Sequence, residues 1–134
     1  GKFTAVHDQD YHYDGVELMF GSSMIARRVL DVLQAVEYVK AHGIKHLHLI
    51  ARGQGALPGA FAALLASDKV ESLTLYDAPE SYLSMVQKRA TFWPQSCMIP
   101  GFLKGADLPD GYSALGKAVK LDIVNFVSEP VPEE

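Results

Sequence analysis

One stretch, His46 to Ala66 (HLHLIARGQGALPGAFAALLA), limits what this chain can fold into. His46 to Ile50 is short and rich in apolar residues, and Gly43 bounds it on one side, the pattern of a buried strand. Gly53 and Gly55 follow, so the backbone can reverse where a Cβ would obstruct it. Pro58 suits a first helical turn, which needs no intrahelical N–H. Gly59, Ala60, Ala62, Ala63 and Ala66 then let a helix lie close against a sheet. A strand, tight turn and helix in this order put backbone N–H groups at the carboxyl edge of a sheet. Open α/β folds place their chemistry at that edge.

The remainder of the chain fits an α/β domain. At 134 residues it is the size of one domain, or part of one. Apolar residues make up 49% and charged residues 21%, which supplies a core and excludes a disordered chain. A net charge of −4 with no basic run gives no footprint for nucleic acid. No apolar run reaches the ~18 residues of a membrane span. Cys97 is the only cysteine, so no internal disulfide forms. The opening residue is Gly1, and no signal-peptide pattern follows it, as expected of a processed product or a fragment.

Phe3 to Val6 reads as a short strand in an ordered surface segment. Ser22 or Ser23 caps a helix running to about Ala41. Ile25, Val29, Val32, Val36 and Val39 form its apolar stripe, and Gly43 serves as its C′ residue. Ser72 to Tyr76 is a second strand, followed by a helix from Glu80 to about Ala90 that turns Tyr82, Leu83 and Val86 inward. Thr91 to Asp110 is a proline-broken loop of the kind that covers a site. A helix at Gly111 to Val119 and a strand at Leu121 to Val127 close the pattern. Alternating strands and helices predict parallel βαβ crossovers and a three-layer sandwich, with helices on both faces of a mostly parallel sheet.

The turn Ala51-Arg-Gly-Gln-Gly55 stands where a G-x-S-x-G nucleophile elbow would stand. With the helix MIARRVLDVLQAVEYV, the segment LTLYDAPESYLSMV, the loop PGFLKGADLPD and the strand LDIVNFVSEP, the chain resembles the α/β-hydrolase superfamily. Within it, the resemblance is to the acetyl xylan esterase-like group of bacterial esterases, over roughly residues 10 to 127. It implies a partial α/β-hydrolase fold, an ester or acetylated polysaccharide as ligand, and a bacterial protein for which a secreted or periplasmic location is open. It also implies early strands bearing an oxyanion donor and a late loop bearing a histidine, neither of which this chain contains.

Two departures remove the chemistry. The nucleophile position is Gly53, which has no hydroxyl to activate. His7, His12, His42, His46 and His48 all precede it, so no histidine base follows the elbow as the family order requires. Asp77 and Glu129 are the remaining acid candidates. The expected protein is an esterase-like domain without hydrolytic activity, acting inside a longer chain, with a homodimer partner, or as a non-catalytic binding or scaffolding domain.

A second reading takes Gly53, Gly55 and Asp77 as a Rossmann-type dinucleotide fingerprint, with Pro58 at the third glycine's place and Gly59 one residue late. A turn that only permits tight packing explains the same glycines. His46 and His48 share a strand face, and read as packed or hydrogen-bonded histidines before they read as metal ligands. His7, Asp8, Asp10 and His12 read as a solvated loop before they read as a metal site. Asp77 and Glu80 fit as helix N-terminal acids, and Asp107 and Asp110 as turn residues. Phe92, Trp93 and Cys97 read as core. No cofactor and no metal is expected.

Overall fold

The three short apolar runs become three parallel strands. The computed structural model describes residues 12–88 and 93–127, so Phe3 to Val6, His7, Asp8, Asp10, Phe92 and Glu129 lie outside the described residues. Helix α1 spans 12–19 and is joined to helix α2 (Met24–Ala41) by a tight turn. Strand β1 (His48–Arg52) leads through a 3₁₀ turn, Gly53–Gly55, into helix α3 (Ala56–Leu65). Strand β2 (Ser72–Tyr76) and helix α4 (Tyr82–Gln87) follow. Helix α5 (Leu108–Ala118) and strand β3 (Lys120–Ile123) complete the order.

Helix α2 owes its limits to local chemistry. The Ser23 hydroxyl accepts the Ala26 N–H, and the buried Asp14 carboxylate accepts the Met24 N–H at 3.3 Å. At the other end Gly43 adopts φ +86°, which lets its N–H reach the Lys40 carbonyl and the Ile44 N–H reach that of Val39. That pair of bonds is a Schellman motif. Ile25, Val29 and Val36 are buried as the stripe predicts.

The sheet order is β1-β2-β3, with Leu49 beside Leu73 and Leu73 beside Leu121 in register. Two parallel crossovers stepping the same way, with the usual right hand, put their helices on one face. Leu73 and Leu75 are fully buried on that face, with Leu49, Ala51, Leu121 and Ile123 packed beside them. Their neighbours Ile50 and Tyr76 point the opposite way and are exposed. Among the described residues the helical cover is therefore one-sided. The expected second helical layer is not found among them.

Helix α3 sits at the middle of the cover, touching β1, β2, α2 and α5. Its seat is Gly59: a Cβ there would stand 2.8 Å from the Cβ of Ala51. No real pair of Cβ atoms approaches so closely, so the helix would have to lift off the strand. Helix α5 packs its Leu108, Tyr112 and Leu115 face inward, and Tyr112 donates its hydroxyl hydrogen to the Pro79 carbonyl.

Several limits differ from the sequence reading. Strand β1 lies two residues later than expected, because its register with β2 pairs His48 with Ser72. Strand β3 ends at Ile123, and only the bridge between Ala78 and Phe126 continues it. Helix α4 is shorter than expected and turns Tyr82 and Met85 inward, while Leu83 and Val86 are exposed. Residues 93–107 hold two 3₁₀ turns, Gln95–Cys97 and Phe102–Lys104, and bury Trp93 and Cys97 as the core reading expects.

The close seat gives a paired test. Gly59→Ala should lower the unfolding free energy by roughly 1–3 kcal/mol, the usual cost of overpacking. Gly111→Ala, in an α5 position whose added Cβ meets nothing within 4 Å, should raise it by about 0.4–1 kcal/mol. Urea denaturation of the two variants checks both signs.

Candidate functional site

The carboxyl edge of the sheet gathers three features: the Gly53–Gly55 turn, a polar bracket around Asp77, and a capping node around Asp107. Gly53 follows β1 directly and has φ +57°, a conformation that costs a residue bearing a Cβ. The turn enters the helix at once, with α3 seated on β1. It presents no side chain at residue 53. Helix α3 has no side-chain cap and no acidic residue in its first turn.

Asp77 leaves β2 with φ +50°, in the left-handed region that non-glycine residues rarely enter. Three hydrogen bonds hold it there. Its N–H reaches the Asn125 side-chain oxygen at 2.9 Å, and the Asn125 amide donates back to its carboxylate at 2.6 Å. Arg52 Nε donates to the other carboxylate oxygen at 2.5 Å. The carboxyl lies below its ordinary range, chiefly through Asn125 and then Arg52. The bracket therefore ties the ends of β1 and β2 to the segment after β3. Asp77 is neither a helix N-terminal acid, as expected, nor an unengaged carboxylate.

The α4 N-terminus takes its acid from a distant residue instead. Asp107 accepts the Tyr82 N–H at 2.7 Å, the Leu83 N–H at 3.3 Å and the Ser81 hydroxyl at 2.5 Å. It also caps α5, with Asp110 returning the bond to the Asp107 N–H at 2.9 Å. One carboxylate thus satisfies the ends of two helices. Desolvation pushes its pKa up, and the bonds from Ser81, Leu108, Tyr82 and Leu83 outweigh it, so the net shift is downward. Asp107 and Asp110 are a capping box, where the sequence suggested turn residues. Glu80 is exposed and lies outside α4.

Beneath the edge, Tyr82 donates to the Cys97 carbonyl at 2.7 Å, and burial raises the phenol's pKa. Phe102 packs edge-on against both Tyr82 and Phe61. These contacts brace α4 and α3.

The histidines do not converge. His46 shares a hydrogen with Glu71 at 2.7 Å, and His48 one with the Ser72 hydroxyl at 2.5 Å. Among the described residues no group of three His, Cys, Asp or Glu side chains could hold a metal ion. His42 bonds the Tyr38 carbonyl at the end of α2. No described histidine follows Gly53, as the sequence already fixes.

Protonation of Asp107 should weaken the fold. Its folded pKa is depressed, so its contribution is present above the unfolded carboxylate value of about 4 and is lost as pH falls through the folded value. Melting temperature should drop below about pH 4 in the native chain, and Asp107→Asn should flatten that drop. Asp107→Ala should cost roughly 1–2 kcal/mol at neutral pH, through the lost cap of α5 and the lost bonds to the α4 N-terminus.

Against protein-family models, curated proteins and solved structures, the chain finds no match.

Proposed function

We propose that this chain is the elbow-bearing part of an α/β-hydrolase-like domain, related to acetyl xylan esterases, whose elbow no longer carries a nucleophile. It then acts as a non-catalytic, ligand- or partner-binding domain. The observation that carries this reading is Gly53: a left-handed turn between a parallel strand and a closely seated helix, with no hydroxyl on it. An acyl-enzyme cannot form on Gly53, and His7, His12, His42, His46 and His48 all precede it in the sequence. The finer architecture belongs to the same proposal. Parallel sheets are covered on both faces almost without exception. Ile50, 73% exposed on the bare face, and the free edge of β1 are where further strands and helices of a longer chain, or a second copy, would join.

The dinucleotide reading has less support. Asp77, which would hold a ribose, is already bonded by Arg52 and Asn125, and Pro58 and Gly59 are displaced from the fingerprint.

The isolated chain should hydrolyse p-nitrophenyl acetate no faster than a heat-denatured control, and Gly53→Ser should not raise the rate. Turnover above that control, abolished by one serine or cysteine substitution, would overturn the reading. Sedimentation equilibrium tests the bare face: self-association that rises with concentration and falls in Ile50→Lys is expected. A strictly monomeric chain with a cooperative melt would show that this face needs no cover.

A further inference from the structure

Helix α1 wears its polarity inside out. Its inward side chains are carboxylates: buried Asp14 accepts the Met24 N–H that opens α2, and Glu17 pairs with Arg27 of α2 at 2.9 Å. Its apolar side chains face solvent. Met19 and Phe20 are 86% and 84% exposed, and Tyr13 and Val16 are half or more exposed. A surface helix ordinarily does the reverse, with its apolar stripe on the core and its charges in water.

The exposed stripe is held in place. The Phe20 N–H still bonds the Val16 carbonyl, so the helical turn reaches residue 20. Gly21, at φ +73°, then closes α1 in a Schellman motif, its N–H on the Leu18 carbonyl and the Ser22 N–H on that of Glu17. The Asp14 and Glu17 contacts fix the helix against α2.

The spacing of the stripe suits a partner like itself. Residues 13, 16 and 20 share one helical face, with Met19 beside it. Aromatic rings stand at both ends, and Val16, next to Gly15, lies in the middle. Reversed end for end, the pattern is unchanged. In an antiparallel pair of α1 helices about a two-fold axis, Val16 therefore meets the partner's Val16, and Tyr13 meets the partner's Phe20. The small middle allows close approach, and the aromatic pairs close the two ends. Asp14 is buried and Glu17 is paired, so neither carboxylate opposes its own copy.

The available area sets the strength. Tyr13 and Phe20 expose roughly 100–200 Å² each, and the four side chains roughly 500 Å² per copy. A pair would bury about 1,000 Å², the lower limit of a specific interface, so the dimer is weak and reversible. A membrane surface fits less well. Interfacial helices carry Lys or Arg on the polar face, whereas residues 3–26 hold Asp8, Asp10, Asp14 and Glu17 and no Lys or Arg.

We propose that α1 is a self-recognition element through which two copies of this chain pair, α1 against α1, across a two-fold axis. The assignment depends on neither the elbow nor the bare sheet face, so the test uses the full chain carrying Ile50→Lys. Sedimentation equilibrium should show monomer and dimer with a dissociation constant between about 10 μM and 1 mM. Amide NMR shifts on dilution should centre on residues 12–22. Adding Val16→Lys sets two lysines face to face and should weaken pairing about tenfold or more, with circular dichroism unchanged. Val16→Glu should do the same, and an equimolar mixture of the two variants should pair more tightly than either alone. Vesicles of equal parts phosphatidylcholine and phosphatidylglycerol should not carry the chain on flotation. Monomer alone at about 1 mM, pairing unchanged by Val16→Lys, no recovery in the mixture, dilution shifts centred elsewhere, or vesicle binding lost in Val16→Lys would each overturn the proposal.

Discussion

The backbone of α3 lies on the side chain of Ala51, and the remaining architecture follows from that contact. Gly59 leaves no Cβ to hold the helix away, and Ala51 offers only a methyl group beneath it. With the helix this low, Ala56, Leu57, Ala60, Ala62 and Ala63 all become buried. Helices α2 and α5 can then pack on its two flanks. Small residues contribute little area each, so the tight seat does what a larger side chain could not: it brings three helices and three strands into one core. Leu73 and Leu75 fill the centre of that core, and each contributes roughly 1.5–3 kcal/mol by burial.

Polar contacts then fix what packing leaves free. At the carboxyl edge, Asp77 joins the three strand ends through Arg52 and Asn125, and Asp107 joins α4 to α5. Both carboxylates are held ionised by hydrogen bonds, which makes them joints of the scaffold. That use also bears on chemistry. A carboxylate already accepting several N–H groups is a poor general base, because its proton affinity is lowered. The edge is therefore ordered by Asp77 and Asp107, and both carboxylates are already engaged.

How much of this could be read beforehand depended on distance along the chain. Ser72–Tyr76 was legible because SLTLY is apolar, short and bounded by polar residues. The Ser23 cap and the Gly43 terminus were legible because capping acts within a few residues. Asp107 was not, since its partners Ser81 and Tyr82 lie 26 and 25 residues away and only the fold brings them together. The start of β1 was blurred because HLHLI is equally strand-like at every residue, and pairing with Ser72 decides the register. SLTLY and KLDI alternate polar with apolar, the period of a strand half-buried on a single face.

Among the described residues the fold is therefore a three-stranded parallel sheet covered on one face, with β2 inside and β1 and β3 at the edges. Amide hydrogen exchange at a concentration low enough to keep the chain monomeric tests it most directly. Amides of β2, bonded into the ladder and buried under α3, should be the slowest and exchange only on global unfolding. In β1, amides directed at β2 should be protected and those directed at the free edge should exchange quickly. Uniform protection along β1, or loop-like exchange at Leu73 and Leu75, would contradict the account.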